Sequence, residues 1–189
     1  MNSRLLALAA LWWPLALAQE RPLFYAPLDK SMIAPGTLRV VVSSMGETTL
    51  LLDGKVVKTD APAPGVMRAD LTLPAGAHEL VARNGAGESK IRVFAGRQQA
   101  GFEPFKQHPP TATCETCHAV KQGEWALRRA SLAPICAACH PQDRFAKVHT
   151  HGTDLLAECQ ACHMPHGSQA AKLLKQPKEI GCKQCHGQQ

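Results

Sequence analysis

All eight cysteines and four of the nine histidines of this 189-residue chain fall into four Cys-x-x-Cys-His quintets. The quintets begin at positions 114, 136, 159 and 182, so successive quintets are 22, 23 and 23 residues apart. On a helical turn, the two thiols and the imidazole of such a quintet share one face. Two thiols can then bond to the vinyl groups of a porphyrin while the imidazole ligates its iron, which is the chemistry of c-type haem attachment.

The spacing therefore predicts four covalently attached haems c. The thioether-forming residues are Cys114, Cys117, Cys136, Cys139, Cys159, Cys162, Cys182 and Cys185, and the proximal iron ligands are His118, His140, His163 and His186. Other uses of paired cysteines explain the sequence less well. Disulfides and zinc ribbons give no role to a histidine after every second cysteine, and a thioredoxin-like motif needs a βαβ context that this short period cannot hold.

Four further histidines lie in the same part of the chain: His108, His149, His151 and His166. Their number equals that of the vacant sixth coordination positions, so we expect them to be the distal ligands. His149 and His151 flank Thr150 and point in opposite directions in an extended backbone, so they must serve different haems or leave one idle. Met164 directly follows His163 and is expected to be a packing residue.

The region that precedes the quintets contains a different pattern. Residues 19–96 have no cysteine and only one histidine, His78, which we expect to be a surface or packing residue. Short alternating apolar runs predict an antiparallel sandwich of immunoglobulin-like type, and Asp53-Gly54 is a hairpin signal. The candidate strands are 38–43, 48–52, 55–59, 65–73, 77–83 and 89–94.

The quintet region is too poor in large apolar residues to form an ordinary core, so the haems themselves should form it. Short helices are expected at 122–131, from 154 into the third quintet, and at 168–176, where Pro177 would end the last one. The predicted fold is an all-β N-terminal sandwich plus a mainly α/irregular C-terminal domain packed around four covalently bound haems. The predicted boundaries are 1–18 for a signal peptide, 19–96 for the sandwich, 97–110 for a linker and 111–189 for the tetrahaem domain.

The first 18 residues have the features of an export signal. Arg4 precedes an apolar run that ends in Ala16-Leu17-Ala18, a small-x-small cleavage pattern. The run is short for a membrane span and contains Pro14, and no cysteine near the cleavage site offers a lipid anchor. A periplasmic or secreted protein is therefore expected.

The net charge of +6 lies mostly in the haem half, where 11 Lys and Arg outnumber 7 Asp and Glu. Eight haem propionates would pair with such side chains, for example Arg128, Arg129, Lys172 and Lys175. Together with the export signal, this assignment of the charge argues against nucleic acid as a partner.

The run from Cys159 to His186, CQACHMPHGSQAAKLLKQPKEIGCKQCH, resembles the doubled-CxxCH motif of bacterial multihaem cytochromes c and is similar to the tetrahaem class III cytochromes. In that family a histidine three residues after the quintet commonly binds a neighbouring haem, and His166 occupies this place. The first quintet pair matches less well, because CAACHPQDRF lacks the H-x-x-H continuation. The stretch from Leu73 to Gly87 resembles a strand of PEGA-like sandwich modules.

These observations favour an exported electron carrier with bis-histidine haems of low potential, and not an enzyme. Its partners would be redox proteins, with a membrane-bound quinol-oxidising protein as one candidate. Two alternatives stay open: a multihaem reductase, which needs one iron with a vacant position, and a subunit of a haem-lined extracellular filament. The sandwich would act as a docking or assembly module.

Overall fold

The computed structural model describes residues 20–44, 46–108, 113–141 and 158–187. The proposed signal peptide, and His149 and His151 among the expected distal ligands, lie outside these residues.

Nine strands form two facing sheets in the described residues before position 96. They are β1 (Phe24–Ala26), β2 (Ser31–Ile33), β3 (Gly36–Ser43), β4 (Thr49–Leu52), β5 (Lys55–Val56), β6 (Asp60–Ala63), β7 (Val66–Leu73), β8 (Gly76–Asn84) and β9 (Gly87–Ala95). One sheet has the order β1-β3-β7-β6, and the other has the order β2-β9-β8-β4-β5, with β2 and β9 parallel. The predicted sandwich is present, and the three strands that the pattern missed, β1, β2 and β6, are only three or four residues long.

The core lies between the two sheets. Leu38, Val40 and Val42 alternate inward along β3, where they meet Leu80 and Val93 of the other sheet, and all five side chains are almost fully buried. Burial of each such side chain contributes about 1.5–3 kcal/mol, which lets these short strands form a stable sandwich. The residues between them on β3, such as Arg39 and Val41, lie on the outer face of the four-stranded sheet.

The Asp53-Gly54 turn is confirmed. Leu52 pairs with Lys55, and Asp53 and Gly54 have φ of 50° and 77°, as a two-residue hairpin turn requires. The buried His78 ring fixes this turn, with Nδ1 2.8 Å from Asp53 Oδ2 and Nε2 2.9 Å from the Pro74 carbonyl oxygen. His78 is thus a packing residue of the sandwich.

The segment predicted as a linker, residues 97–110, packs on the sandwich where it is described. Strand β10 (Glu103–Pro104) pairs in parallel with β2, and the Phe105 side chain joins the hydrophobic core. Strand β11 (Lys106–Gln107) follows directly. The two halves of the chain are therefore joined by buried contacts in addition to the covalent connection.

The quintet region has few helices. Its elements are α1 (Cys114–Cys117), β12 (His118–Lys121), β13 (Glu124–Leu127), α2 (Ala133–Ala137), α3 (Cys159–Cys162), β14 (Gly167–Ser168), a 3₁₀ turn (Ala171–Leu173) and α4 (Lys178–His186). Strands β12 and β13 form a hairpin, and β14 pairs with β11. No helix in the described ranges is long and apolar enough to span a membrane.

Two of the expected helices are wrong. Residues 122–131 begin with a Gln122-Gly123 turn, where φ is 53° and 81°, and this turn reverses the chain into the β12–β13 hairpin. Residues 168–176 contain β14 and the 3₁₀ turn, and positive φ at Lys172 and Leu173 breaks any longer helix. Pro177 occupies the residue position just before α4 and does not end a helix, because the start of a helix tolerates proline, where a backbone N–H would have no intrahelical partner.

Candidate functional site

Each of the four quintets forms a helical turn. The His140 N–H donates to the Cys136 carbonyl oxygen at 2.8 Å, and the His163 N–H donates to that of Cys159 at 2.9 Å. The first quintet closes in the same way from His118 to Cys114, and the fourth lies within α4. The two thiols and the imidazole of each quintet therefore share one helical face, the arrangement that haem attachment needs.

None of the eight cysteines forms a disulfide. Burial raises the pKa of the Cys136 thiol, and the neighbouring Cys159 thiol raises it further. Burial also raises the pKa of Cys117, and Cys139 and Cys114 add to this effect. Both shifts favour the protonated thiol of these two cysteines in the chain without its cofactor.

Two pairs of imidazoles lie at a separation that suits an iron between them. The ring centroids of His118 and His166 are 6.1 Å apart, and those of His108 and His140 are 6.2 Å apart. Two metal–nitrogen bonds of about 2.0 Å, extended by the distance from each nitrogen to its ring centre, give a centroid separation of about 6 Å. The centroid separations of both pairs therefore agree with an iron held between two imidazoles at the first and the second quintet.

Aromatic side chains surround the His118–His166 pair. The Trp125 ring, on β13, stacks on His118 with centroids 4.8 Å apart and planes 11° apart. Tyr25, on β1 of the sandwich, has its ring centroid 6.3 Å from that of His166. The sandwich and the β12–β13 hairpin thus enclose the first site from two directions.

Both imidazoles of this pair favour the neutral form. Burial lowers the pKa of His118, with partial opposition from the backbone at Ala126. His166 keeps contact with solvent, yet nearby protein atoms lower its pKa by desolvation, and His118 and His108 lower it further. Neutral imidazole is the form that binds a metal.

The third quintet has a positioned imidazole as well. His163 Nδ1 lies 3.0 Å from the Lys172 carbonyl oxygen, which the left-handed backbone at Lys172 (φ 58°) turns toward the ring. A carbonyl only accepts, so Nδ1 carries the proton and Nε2 is the nitrogen that would bind iron. Such a hydrogen bond fixes the tautomer and raises the basicity of a metal-ligating histidine.

The first quintet also contacts the outer face of the four-stranded sheet. Arg68 on β7 donates from Nη1 to Cys114 Sγ at 3.4 Å while its Nε donates to Asp60 at 3.1 Å. Arg128 donates to the Glu115 carbonyl oxygen at 2.8 Å, which brings a second guanidinium beside the same quintet. Cationic groups therefore lie around the first site.

The structure brings together four of the eight predicted site histidines. The two pairs are His118–His166 and His108–His140, whereas His163 and His186 belong to the third and fourth quintets. The expected distal ligands His149 and His151 lie outside the described residues. Sequence reasoning missed Tyr25, Arg68 and the Lys172 carbonyl, since their proximity depends on the tertiary fold. Among the residues around the first site, Trp125 alone could be singled out from the sequence, because it is the single tryptophan after residue 18.

Comparison with known proteins gives one family match. Residues 153–189 match the doubled CXXCH motif, which is typical of multihaem c-type cytochromes with covalently bound haem. No curated protein matches the chain. Among solved structures, the fibronectin(III)-like modules of Clostridium thermocellum CbhA are 17% identical over 41% of this chain and 99% of that chain, with a TM-score of 0.32. The titin M3 domain is 15% identical over 42% of this chain and 98% of that chain, with a TM-score of 0.28.

Proposed function

We propose that this chain, whose doubled CXXCH motif indicates a multihaem c-type cytochrome that transfers electrons, is an exported tetrahaem carrier with bis-histidine haems. The observation that carries the proposal is the pair of imidazole separations, 6.1 Å for His118–His166 and 6.2 Å for His108–His140. The four quintets supply one attachment site each. The protein would act in the periplasm or outside the cell, between redox protein partners.

The proposed ligand sets follow from these positions. His118 and His166 hold the iron of the first quintet, and His140 and His108 hold that of the second. His163 and His186 are the proximal ligands of the third and fourth quintets. His149 and His151 are the proposed distal ligands there, because they are the histidines that the first two sites do not use.

The bound haem supplies one-electron redox chemistry through its iron. The chain's part is to hold two neutral imidazoles in fixed positions, so that the coordination changes little when the charge changes. Imidazole in place of a methionine thioether favours the oxidised state, so low potentials are expected. The hydrogen bond from His163 to the Lys172 carbonyl strengthens that imidazole as a donor and adds to this effect.

The charge of the haem half supports the same function. Haem propionates require cationic partners, and Arg128 lies beside the first quintet through its bond to Glu115. Lys172, next to the third quintet in the fold, is placed likewise by the contact of its carbonyl with His163. Arg129 and Lys175 remain proposed partners of the propionates from their positions in sequence.

Carbon monoxide distinguishes a carrier from a reductase, because it binds ferrous haem only at a vacant position. The holoprotein is reduced without oxygen and titrated with carbon monoxide while the Soret band is recorded. We expect no change. Stoichiometric binding by the wild-type protein would overturn the bis-histidine proposal and favour a reductase with one accessible iron.

A further inference from the structure

The two proposed distal histidines of the first and second sites belong to one small ribbon. Strands β11 and β14 are antiparallel, and Gln107 pairs with Gly167. His108 follows Gln107 and His166 precedes Gly167, so the two histidines occupy the next opposed positions at the same end of the ribbon. Opposed positions of an antiparallel pair hold their Cβ atoms about 5 Å apart.

The β11 side of the ribbon is fixed to the sandwich. Phe105, one residue before β11, is 6% exposed, packs in the sandwich core, and donates its N–H to the Met32 carbonyl oxygen at 2.7 Å. The Gln107 side-chain amide bonds both backbone groups of Arg39: its Oε1 accepts from the Arg39 N–H at 3.0 Å, and its Nε2 donates to the Arg39 carbonyl. The Gln107 side chain thus bonds to the backbone of β3 in the way that a neighbouring strand would, and His108 is the next residue along the chain.

The β14 side has anchors of its own. Gln169 donates from Nε2 to the Asp29 carbonyl oxygen at 2.8 Å, and the buried Ser168 hydroxyl donates to the Leu174 carbonyl. Gly167 has φ of 146°, and a Cβ at this position would overlap the Phe105 ring and lie 3.0 Å from the Lys106 carbonyl oxygen. Only glycine lets the two strands and Phe105 pack this closely.

We propose that the β11–β14 ribbon is a shared positioning element, through which the sandwich holds the distal ligands of the first and second haems together. This inference rests on the proposed function and gives the sandwich a role inside the redox centre, beyond that of a docking module. Disturbance of either strand should weaken distal ligation at both sites. The third and fourth sites should not change.

The sharpest test is Gly167→Ala in the full-length holoprotein, with Gly36→Ala as the matched control. Gly36 has nearly the same φ, 145°, but an added Cβ there would have no neighbour within 4 Å. Both variants therefore carry similar backbone strain, and only the first separates β14 from Phe105. We expect the reduced Gly167→Ala protein to bind two carbon monoxide molecules and the Gly36→Ala protein to bind none.

A second pair of variants disturbs the other strand. Gln107→Ala removes both bonds to Arg39, and Gln98→Ala removes an exposed glutamine from the preceding segment. Loss of these two hydrogen bonds should let carbon monoxide bind at two haems in Gln107→Ala, whereas Gln98→Ala should bind none, as in the wild type. The ferric spectrum supplies the independent readout, because it gains high-spin signal at the same two haems.

The number of haems that respond decides the question. Each substitution adjoins one histidine, so a purely local effect opens one haem, whereas a shared element opens two. One responding haem in both Gly167→Ala and Gln107→Ala, or none in either, would overturn this inference while leaving the bis-histidine proposal intact. Carbon monoxide binding by the wild-type protein would instead overturn the proposed function itself.

Discussion

The imidazole of His166 lies beside that of His118, with 6.1 Å between the ring centroids and 30° between the ring planes. Each belongs to a different quintet neighbourhood, because His118 ends the first quintet and His166 follows the third. The distal ligand proposed for the first haem thus comes from the segment that carries the third attachment site. The same contact therefore joins the segments of the first and the third quintet, which the second quintet separates in sequence.

This relationship predicts how two substitutions combine. His166→Ala should create one carbon monoxide site on the haem attached to Cys114 and Cys117. That site should vanish when both thiols are replaced by serine, because the haem is then absent. The measurement is the stoichiometry of carbon monoxide binding in the combined variant.

The matched control combines His166→Ala with the replacement of Cys159 and Cys162 by serine, which removes the haem of the quintet nearest to His166 in sequence. The new site should persist in that combination. If it disappears there and persists without the first haem, His166 serves its own quintet and the pairing drawn from the structure is wrong.

The haem count provides a second prediction. Every cysteine of the chain lies in a quintet, so the purified protein should carry four haems that resist acid-acetone extraction. Replacement of both thiols of any one quintet should lower the mass by one haem in intact-protein mass spectrometry. Zinc or disulfides in place of thioether-bound haem would contradict the assignment for all four quintets.

Trp125 reports on the first site. It stacks on His118 and is the only tryptophan once residues 1–18 are removed, so a haem at Cys114 and Cys117 should quench its fluorescence strongly. Replacement of Cys114 and Cys117 by serine should increase the Trp125 emission several-fold. Replacement of Cys182 and Cys185 by serine should increase this emission much less. Equal recovery in the two variants would place Trp125 away from the first haem.

The His78–Asp53 pair predicts a pH dependence of stability. Both ring nitrogens of His78 face acceptors, and only the imidazolium can donate to both at once. Burial opposes this charge, but the bonds to Asp53 and Pro74 outweigh it and raise the His78 pKa above 6.5. The charged His78 ring therefore makes its full contribution to the free energy of unfolding below pH 6.5, and this contribution is lost as the pH rises through the raised pKa of His78.

The Asp53 carboxylate contributes to stability with the opposite dependence on pH. Partial burial opposes its ionisation, yet the bonds from His78 and the Glu79 N–H lower its pKa below 3.8, so its contribution is lost as the pH falls through the lowered value. Urea denaturation should show that His78→Gln costs about 1–3 kcal/mol at pH 6 and less at pH 8. An equal cost at the two pH values would show that the pair is not ionic.

Local sequence determined much of this structure. Asp53-Gly54 specifies its turn through two left-handed residues, and each quintet forms the helical turn that its own spacing implies. The Gln122-Gly123 turn also depends on two residues with left-handed backbone, and the prediction of a helix at 122–131 did not take this turn signal into account. These features involve residues that are close in sequence, so short patterns can specify them.

The pairing of the histidines could not be predicted in this way. His108 meets His140, and His166 meets His118, because Phe105 enters the sandwich core and Gln107 bonds to Arg39. Each of these contacts joins distant parts of the chain, and the apolar pattern around Phe105 is too short to distinguish a linker from a packed segment. Residues 97–110 therefore looked like a connection and not like part of the site.

The pairing of Gln107 with Gly167 also bears on the order of assembly. These residues are sixty positions apart, and the loop between them contains three of the four quintets. Closure of so long a loop carries an entropic cost, so this contact forms late in folding. The first three quintets therefore lie in an unclosed chain until this pairing forms, and closure of the ribbon is the step that brings the segments of the first and the third quintet together.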